Sequence, residues 1–508
     1  MKDDFVEIES EQASDGTPGG EAADAAPSLK LRTARTLKWN TLDRVTQQIA
    51  LAVVGVILAN LLSKEDYGLT GVLAMFQAFA IVFVDSGFGA ALLQKKEPTQ
   101  RDYSTVFWFN IAVATGIYVV LWFAAPLIAS IFRSPLLVPL SRVMFLSFIF
   151  SALGIVQTNR LMKQMNVKQV AISNLVAVLL SGGVGVWMAF AGYGVWSLVA
   201  QALTLSFIKT AWLWVAVKWR PSLVWSRRSL REIMGVGMGV FSSSLLNTFF
   251  LNLYTFVIGW WSLGKLGLYT QADKWSKMAT ASLSQIITAT FVPVLASVQD
   301  RIDDFRRYMR RIDRFAAMTL LPVMGGMAMT ATPLFHTFFG TKWDAAILLF
   351  QILALRGIFI ILISVYNNYL LAAGRAKALV VVETVKDVTM LLALGATYFT
   401  GSVTALVWGL GAASLITWIY VLWLTSRSTA VPPLVMIGHL MPFVFYTAAA
   451  LAAGWAASLP FGPVGLQLAV RIIVAVVAYV VLLKVCRVPE LPEMWNYLTG
   501  RFRKKRAA

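Results

Sequence analysis

Apolar stretches of about 20 residues, separated by short polar turns, recur along almost the whole chain. At about 1.5 Å per residue, each is long enough to cross the roughly 30 Å hydrocarbon core of a membrane as a helix. We therefore predict an all-α polytopic membrane protein with about 14 transmembrane helices, built as two six-helix repeats plus two extra C-terminal helices. The predicted spans are residues 39–62, 68–92, 105–126, 137–158, 170–191, 194–216, 232–258, 267–292, 315–338, 345–371, 378–399, 402–425, 436–458 and 463–486.

Lysine and arginine residues are distributed unevenly between the loops that join these spans. Alternate connections carry most of them, including the basic run 301–314 and the turn with Arg375 and Lys377. The opposite connections contain only Lys64, Arg133, Lys265 and Lys342. Because basic loops remain in the cytoplasm, this asymmetry predicts that both termini are cytoplasmic, which requires an even number of spans.

Charge and hydropathy also divide the chain into regions. Residues 1–36 are acidic and contain many Gly, Pro and Ala residues, which predicts a disordered cytoplasmic tail. We predict a first six-helix lobe over 37–218, a basic cytoplasmic linker over 219–231 and a second six-helix lobe over 232–426. Two additional transmembrane helices over 427–486 and a basic cytoplasmic tail over 487–508 complete the chain.

The composition excludes several other classes of protein. Of the 508 residues 58% are hydrophobic and 14% are charged, which is not typical of a soluble enzyme. The net charge of +19 does not indicate a nucleic-acid partner, because the basic residues lie mainly in short loops between spans. A single cysteine, Cys486, precludes an internal disulfide, and two histidines do not favour a metal cluster. The sequence contains no phosphate-binding glycine loop, so we predict no cofactor.

Short patterns recur about 200 residues apart and indicate a duplication. The matching pairs are 65–69 (EDYGL) with 264–269 (GKLGLY), 159–162 (NRLM) with 368–371 (NYLL), and 195–198 (VWSL) with 407–410 (VWGL). Their offsets of 199, 209 and 212 residues drift as loop insertions would make them drift. Two homologous halves with the same orientation are typical of transporters that rock about a site between them.

Three groups of residues carry a resemblance to a known family. They are the turn 65–69, the segments 85–89 (DSGFG) and 92–94 (LLQ) that close the second span, and 291–294 (FVPV) with Gln299 and Asp300. The chain, over about residues 36–486, resembles the polysaccharide-transport proteins, Wzx-like members of the multidrug/oligosaccharidyl-lipid/polysaccharide exporter superfamily. The acidic tail is not part of that pattern.

The resemblance implies a flippase in a bacterial inner membrane. Such a protein translocates a polyprenyl-diphosphate-linked oligosaccharide for lipopolysaccharide or exopolysaccharide synthesis by alternating access. The implied partners are the lipid-linked oligosaccharide, the lipid bilayer and other polysaccharide-assembly proteins, but no nucleic acid. By analogy with lipid II flippases, the last two spans are expected to form a groove for the polyprenyl tail.

Charged residues at membrane depth usually face a protein interior or a water-filled cavity. A sugar diphosphate needs cationic side chains there, and Arg356, near the middle of the tenth span, is the leading candidate. The other substrate-cavity candidates are Arg142, Arg44, Lys209 and Lys274. Anchoring or pairing between lobes is the alternative for Arg44 and Arg142. For Asp273 and Lys274, at the start of the eighth span, the alternative is a capping or pairing role, since Lys277 lies one turn from Asp273.

A second group of charges lies in the eleventh span. Glu383, Lys386 and Asp387 are three and four residues apart and therefore share one face of the helix. They are candidates for coupling transport to an ion, with a carboxylate that binds a proton. The alternative is a structural ion cluster whose members neutralise one another.

Two other functions remain open. A multidrug cation/H⁺ antiporter of the same superfamily predicts carboxylates that face the cavity and few cations. A membrane-embedded glycan polymerase or ligase predicts a long extracytoplasmic loop with Arg or His chemistry. The many basic residues at membrane depth and the short outer loops favour the flippase over both, and over an enzyme in particular.

Overall fold

The computed structural model describes residues 46–85, 88–298 and 301–492. The regular secondary structure within these ranges is helical, and the helices are joined by short turns. The helices are α1 (Thr46–Leu61), α2 (Lys64–Asp85), α3 (Phe88–Gln94), α4 (Gln100–Ile131), α5 (Leu137–Met144), α6 (Leu146–Lys163), α7 (Val167–Phe190), α8 (Trp196–Ala216), α9 (Arg227–Trp261), α10 (Leu263–Ser297), α11 (Ile302–Phe338), α12 (Asp344–Ala372), α13 (Ala376–Tyr398), α14 (Val403–Thr429), α15 (Pro433–Ser458) and α16 (Val464–Val485). A short 3₁₀ helix, Thr341–Trp343, precedes α12.

Eleven segments among the described residues are long and apolar enough to cross a membrane. They confirm an all-α polytopic membrane protein. Three further helices, α1, α10 and α13, would bring the number to fourteen, which stays a prediction. α1 is shorter in the described residues, and α10 and α13 each carry several charged side chains that lower their hydropathy.

Three predicted spans differ in detail from the helices. The second corresponds to α2 and α3, with residues 86–87 outside the described ranges, and the fourth is divided into α5 and α6, which meet at Phe145. The ninth was predicted to begin at residue 315, but α11 begins at Ile302. The basic run 301–314 is therefore largely helical, and the expectation of a loop there was wrong. Apolar side chains recur along one face of this segment, with Phe305, Met309 and Ile312 buried.

Polar residues at the start of several helices bind backbone N–H groups that have no partner within the helix. Thr99 and Asp102 form a reciprocal capping box at the start of α4. The side chains of Ser226, Ser262 and Ser402 accept a hydrogen bond from the N–H three residues ahead, at the starts of α9, α10 and α14. These caps fix where the long helices begin.

We call α1–α8 the first lobe, α9–α14 the second lobe and α15–α16 the C-terminal pair. The face at which α1 ends and α2 begins is the outer face. Three clusters of buried apolar side chains show how these parts pack. The largest includes Tyr67 and Leu266 and joins both lobes near the outer face. Another, around Tyr369, is confined to the second lobe and the C-terminal pair, and the third, around Phe107, lies in the first lobe and the linker. The lobes thus share a core near the outer face and have separate cores towards the opposite face.

The matching segments of the repeat contact each other directly at this shared core. A β-carbon added at Gly68 would lie 1.9 Å from the carbonyl oxygen of Leu263, and one added at Gly267 would lie 1.9 Å from that of Lys64. The two contacts are equivalent, because Gly68 and Gly267, like Lys64 and Leu263, are separated by 199 positions. Backbones this close leave no room for a side chain. The crossing of α2 and α10 therefore requires glycine on both helices.

Residues that precede α12 also hold the end of α1. The Lys342 Nζ donates to the carbonyl oxygens of Asn60 (2.6 Å) and Leu62 (2.9 Å), and the Trp343 Nε1 donates to that of Ala59 (3.0 Å). Carbonyl groups at a helix C-terminus have no partner within the helix. A lysine and a tryptophan of the second lobe thus cap a helix of the first, which strengthens the closure at the outer face.

The linker that was predicted over 219–231 runs along the base of α4. The Trp108 Nε1 donates to the carbonyl oxygen of Ser222 at 3.0 Å. Further along, Glu232 of α9 accepts from Arg228 (3.2 Å) and from Lys95 of the first lobe (3.3 Å). Hydrogen bonds from Arg228 and Lys95 lower the pKa of the Glu232 carboxyl, which therefore stays ionised at neutral pH. The start of α9 is thus attached to the first lobe.

Candidate functional site

A cavity of about 340 Å³ lies in the second lobe and is lined by residues of α9, α10, α12, α13 and α14. Its charged lining residues are Arg356, Asp273 and Lys277. Hydroxyl groups of Ser276, Thr280 and Ser284 add a polar strip along α10. The rest of the lining is mainly apolar and aromatic. Such a lining can hold an apolar or sugar surface beside one anionic group.

Within the described ranges, one side chain, that of Ser414, forms a hydrogen bond with Arg356. Its Nε donates to the Ser414 hydroxyl of α14 at 2.9 Å, and that hydroxyl donates to the carbonyl oxygen of Leu410 at 3.0 Å. Among the described residues, no hydrogen bond involves the two terminal guanidinium nitrogens of Arg356. A guanidinium anchored through Nε presents a planar pair of donors, which matches the oxygens of a phosphate.

The helix that carries Arg356 packs tightly against α10 and α11 at the next residue, Gly357. A β-carbon at Gly357 would lie 2.6 Å from the Thr280 hydroxyl of α10 and 2.3 Å from the terminal carbon of Met324 in α11. Glycine at this position lets α12 approach both neighbours, which fixes the position of Arg356 relative to α10.

The other charged lining residues pair with each other. Asp273 Oδ2 lies 2.6 Å from Lys277 Nζ, one turn apart on α10, so the pairing alternative describes these two residues. Lys277 remains 61% exposed, whereas Asp273 is 16% exposed. With Asp273 neutralised by Lys277, the charge that remains in the lining is that of Arg356.

The first lobe differs from the second at the equivalent position. Arg356 corresponds to Ser147 and Ser276 to Gln77, by the offsets of 209 and 199 residues. The Gln77 Nε2 donates to the Ser147 hydroxyl at 3.2 Å, and Ser147 is fully buried. Two neutral, hydrogen-bonded side chains thus occupy in the first lobe the positions that correspond to Ser276 and Arg356 in the second.

The remaining predicted cations lie elsewhere. The Arg142 guanidinium packs over the Trp122 ring (4.5 Å) in the first lobe, and Lys209 lies on α8. The Lys274 Nζ lies 5.5 Å from the centre of the Trp275 ring, facing α1 at Gly55. None of the three lines the cavity described above. Arg44 lies outside the described residues, so its role as a cavity residue stays a prediction.

The predicted ion-coupling residues do not line this cavity either. Met390 is the residue of α13 that does. Lys386 forms an ion pair with Glu383, and its Nζ lies 4.0 Å from Asp387 Oδ1. That oxygen of Asp387 is buried and makes no hydrogen bond to the described residues. Glu383, Lys386 and Asp387 thus lie close together, as their spacing on the helix predicted. Their role in ion coupling stays a prediction.

One polar cluster was missed by the sequence analysis. Asp313 of α11, Tyr369 of α12 and His439 of α15 meet in the interior, and the first two are fully buried. Asp313 was overlooked because it lies within a basic run that was interpreted as a loop. A signal did exist, since His439 is one of two histidines in the chain and lies inside an apolar span.

Comparisons with known proteins agree with this architecture. The profile of the family described as "Polysaccharide biosynthesis protein" matches residues 57–348. The teichuronic acid biosynthesis protein TuaB of Bacillus subtilis is 24% identical over 406 residues, which are 79% of this chain and 83% of TuaB. The succinoglycan biosynthesis transport protein ExoT of Rhizobium meliloti is 24% identical over 410 residues, or 80% of this chain and 83% of ExoT. The lipid II flippase MurJ, in an inward closed conformation, has a similar fold, with a TM-score of 0.73, 13% identity, and coverage of 89% of this chain and 98% of MurJ.

Proposed function

Because the chain belongs to the polysaccharide biosynthesis protein family, we propose that it is a flippase for a polyprenyl-diphosphate-linked oligosaccharide. It would act in the bacterial inner membrane, with both termini in the cytoplasm, and supply lipopolysaccharide or exopolysaccharide assembly. The family match and the named relatives support a role in surface polysaccharide synthesis. ExoT is named a transport protein, and this chain aligns with 83% of its length.

The observation that carries the proposal is Arg356, which lines a cavity between membrane helices with its terminal nitrogens unbonded to described residues. A diphosphate that passes through a membrane must exchange its hydration shell for donors on the protein, because unpaired charge in a medium of low dielectric is costly. The hydroxyls along α10 suit the sugar nearest the diphosphate. The polyprenyl tail would remain in the bilayer.

The shared core supports alternating access. The lobes are joined near the outer face by the crossing of α2 and α10 and by the contacts of Lys342 and Trp343 with α1. Towards the opposite face each lobe has its own core. A rocking motion would separate the outer contacts and bring the opposite ends together. Asp387 or Glu383 would couple this motion to a proton.

The alternatives fit the structure less well. A multidrug cation antiporter needs an unpaired carboxylate in its cavity, whereas the carboxylate here, Asp273, is paired with Lys277. A polymerase or ligase needs room for chemistry at the outer face. The outer connections among the described residues comprise one to five residues each, at 62–63, 132–136, 191–195, 262, 339–343, 399–402 and 459–463.

The proposal predicts which molecule accumulates when the protein is absent. A strain that lacks it should accumulate a complete lipid-linked oligosaccharide on the cytoplasmic side, because assembly of the unit continues but its transfer across the membrane stops. Mass spectrometry of extracted polyprenyl-linked glycans measures the accumulation and names the sugar unit. A strain with unchanged lipid-linked glycans and normal surface polysaccharide would contradict the proposal.

We also propose that the C-terminal pair guides the polyprenyl tail. These helices pack on α11, where the Tyr479 hydroxyl donates to the carbonyl oxygen of Met318 at 2.9 Å and Arg471 Nη1 to that of Met329 at 3.3 Å. Ending the chain after residue 430 should abolish transport of lipid-linked substrate in proteoliposomes. Normal transport by a monodisperse truncated protein would remove this role.

Because the truncated protein can lose transport simply by failing to fold, a milder variant is needed. A β-carbon at Gly454 of α15 would lie 2.7 Å from the carbonyl oxygen of Arg471 in α16. Gly454→Leu should separate the two helices while the rest of the chain folds. The matched control is Gly438→Leu on α15, where no atom lies within 4 Å of the added β-carbon.

A further inference from the structure

The buried cluster of Asp313, His439 and Tyr369 joins three helices that are distant in sequence. Asp313 Oδ2 lies 3.1 Å from His439 Nδ1, and its Oδ1 accepts a hydrogen bond from the Tyr369 hydroxyl at 2.9 Å. Asp313 has no exposed side-chain surface, and His439 is 13% exposed. Nearby, the Tyr366 hydroxyl is buried without a hydrogen-bond partner among the described residues. The cluster therefore holds one carboxylate, one imidazole and two phenols in the protein interior.

The charged neighbours Arg314 and Glu490 are paired with each other. Arg314, next to Asp313 on α11, forms a two-pronged ion pair with Glu490, whose second contact measures 3.2 Å. Among the described residues, His439 is the group that forms an ion pair with Asp313. The titratable and charged groups near the cluster include Arg314 on α11, Tyr366 and Tyr369 on α12, His439 and Tyr446 on α15, Tyr479 and Cys486 on and after α16, and Glu490. Histidine is the residue in this set that ordinarily titrates near neutral pH.

We propose that Asp313 and His439 form a proton-binding site, with Tyr369 as a hydrogen-bond donor to the carboxylate. When the imidazole holds its second proton, the pair is neutral. When that proton leaves, the pair carries one negative charge in a fully buried position. Because a buried charge without a partner is strongly destabilising, the two protonation states favour different arrangements of the helices that hold the pair. The proton reaches the site through the exposed edge of His439.

The position of the pair gives the proton a mechanical role. Asp313 and Tyr369 belong to the second lobe, whereas His439 belongs to the C-terminal pair. His439 lies six residues beyond Pro433, the first residue of α15, and therefore about 9 Å from the end of that helix that is predicted to be cytoplasmic. Protonation thus controls how α15 is held against α11 and α12. This coupling rests on the proposed flippase function, whereas the proton-binding site does not.

The site can be tested without any transport. The chain contains two histidines, so full-length protein with isotope-labelled histidine in proteoliposomes gives two sets of imidazole signals by solid-state NMR. His439→Gln identifies its own signal by removing it. We expect the His439 signal to change protonation state within the range of pH that is scanned. We also expect Asp313→Asn to shift the midpoint of that change, because the charge that faces the imidazole is lost.

His336 is the internal control for this titration. Its Nε2 lies 2.9 Å from Asp344 Oδ1 near the outer face, far along the chain from the buried pair. Asp313→Asn should leave the midpoint of His336 unchanged. A His439 signal that keeps one protonation state over this range, or whose midpoint is the same in Asp313→Asn, would overturn the proposal.

The coupling is tested by transport of lipid-linked oligosaccharide into the same proteoliposomes as a function of pH. We expect the wild-type transport rate to vary with pH. The ratio of the highest to the lowest rate over the pH range should be at least about threefold smaller in His439→Gln than in the wild type, and unchanged in His336→Gln. A pH-dependent rate that is identical in His439→Gln, or a wild-type rate that is independent of pH, would overturn the coupling. Absence of transport at every pH would instead contradict the flippase function and leave the titration result valid. If His439→Gln does not fold, Tyr369→Phe keeps the ring and removes one donor to Asp313, and should shift the His439 midpoint.

Discussion

Replacing Arg356 by alanine is expected to lower transport of the lipid-linked oligosaccharide about ten- to a hundredfold while the protein stays folded. A hydrogen bond to a charged group contributes about 1.5–3 kcal/mol, and the guanidinium is the unpaired charge in the cavity lining. The substitution leaves no buried group without a partner, because the Ser414 hydroxyl still donates to the carbonyl oxygen of Leu410. The measurement is transport per mole of reconstituted protein, with thermal unfolding in detergent as the check of folding.

Two further variants give this experiment its controls. Arg356→Lys keeps the charge but loses the planar pair of donors, so an intermediate rate is expected. Arg427→Ala removes another arginine of the second lobe, which packs over the Trp423 ring at 4.1 Å outside the cavity, and should transport normally. If Arg356→Ala matches Arg427→Ala in both transport and abundance, Arg356 has a structural role and the proposed anion site is wrong.

Gly68→Ala or Gly267→Ala is expected to loosen the outer contact between the lobes. The added carbon would lie 1.9 Å from a backbone carbonyl oxygen, whereas ordinary contact begins at 3.4 Å, so the helices must separate by about 1.5 Å. Overpacking of this kind costs about 1–3 kcal/mol, and here the obstacle is backbone rather than a flexible side chain. The midpoint of thermal unfolding should fall by several degrees in either variant.

Separation of the lobes at the outer face can also be measured through the accessibility of one residue, Ala59. Ala59 is fully buried at the end of α1, where its carbonyl oxygen accepts the hydrogen bond of Trp343. In a background where Cys486, the native cysteine, is replaced by serine, Ala59→Cys should react slowly with a membrane-impermeant maleimide. Gly68→Ala should increase that rate. Because both glycines loosen one crossing, the double variant should add less than the sum of the two single effects.

Gly116→Ala is the matched control for this pair. Gly116 lies inside α4, and a β-carbon there meets no atom within 4 Å. Alanine is favoured over glycine within a helix by about 0.5–1 kcal/mol, so this variant should be as stable as the wild type or more so. Equal unfolding midpoints and labelling rates for Gly68→Ala and Gly116→Ala would show that the crossing does not hold the lobes together.

The sequence predicted the helical architecture because the bilayer acts on each segment separately. A span must be about 20 residues long and must satisfy its own backbone hydrogen bonds, and both conditions can be read from a single stretch of chain. The ends of α11 were harder to predict. Its first turns are basic, and their apolar residues Phe305, Met309 and Ile312 became meaningful only through burial against other helices.

The residues that line the cavity depend on how each helix is rotated about its axis. Hydropathy located charged residues at membrane depth but could not tell which way each helix faces. Arg356 lines the cavity, whereas Arg142 packs over Trp122, although both are arginines within predicted spans. Rotation of a helix about its axis depends on its neighbours, and those neighbours come from segments many residues away.

The sequence by itself determined the membrane class and the family, because both follow from local composition or from short motifs, and it predicted the duplication from a repeated pattern. The tertiary structure alone decided which charges meet. Asp313 and His439 are 126 residues apart, and the reciprocal glycine contacts join segments separated by 199 positions. Such pairs form only when the packing of whole helices brings two particular faces together.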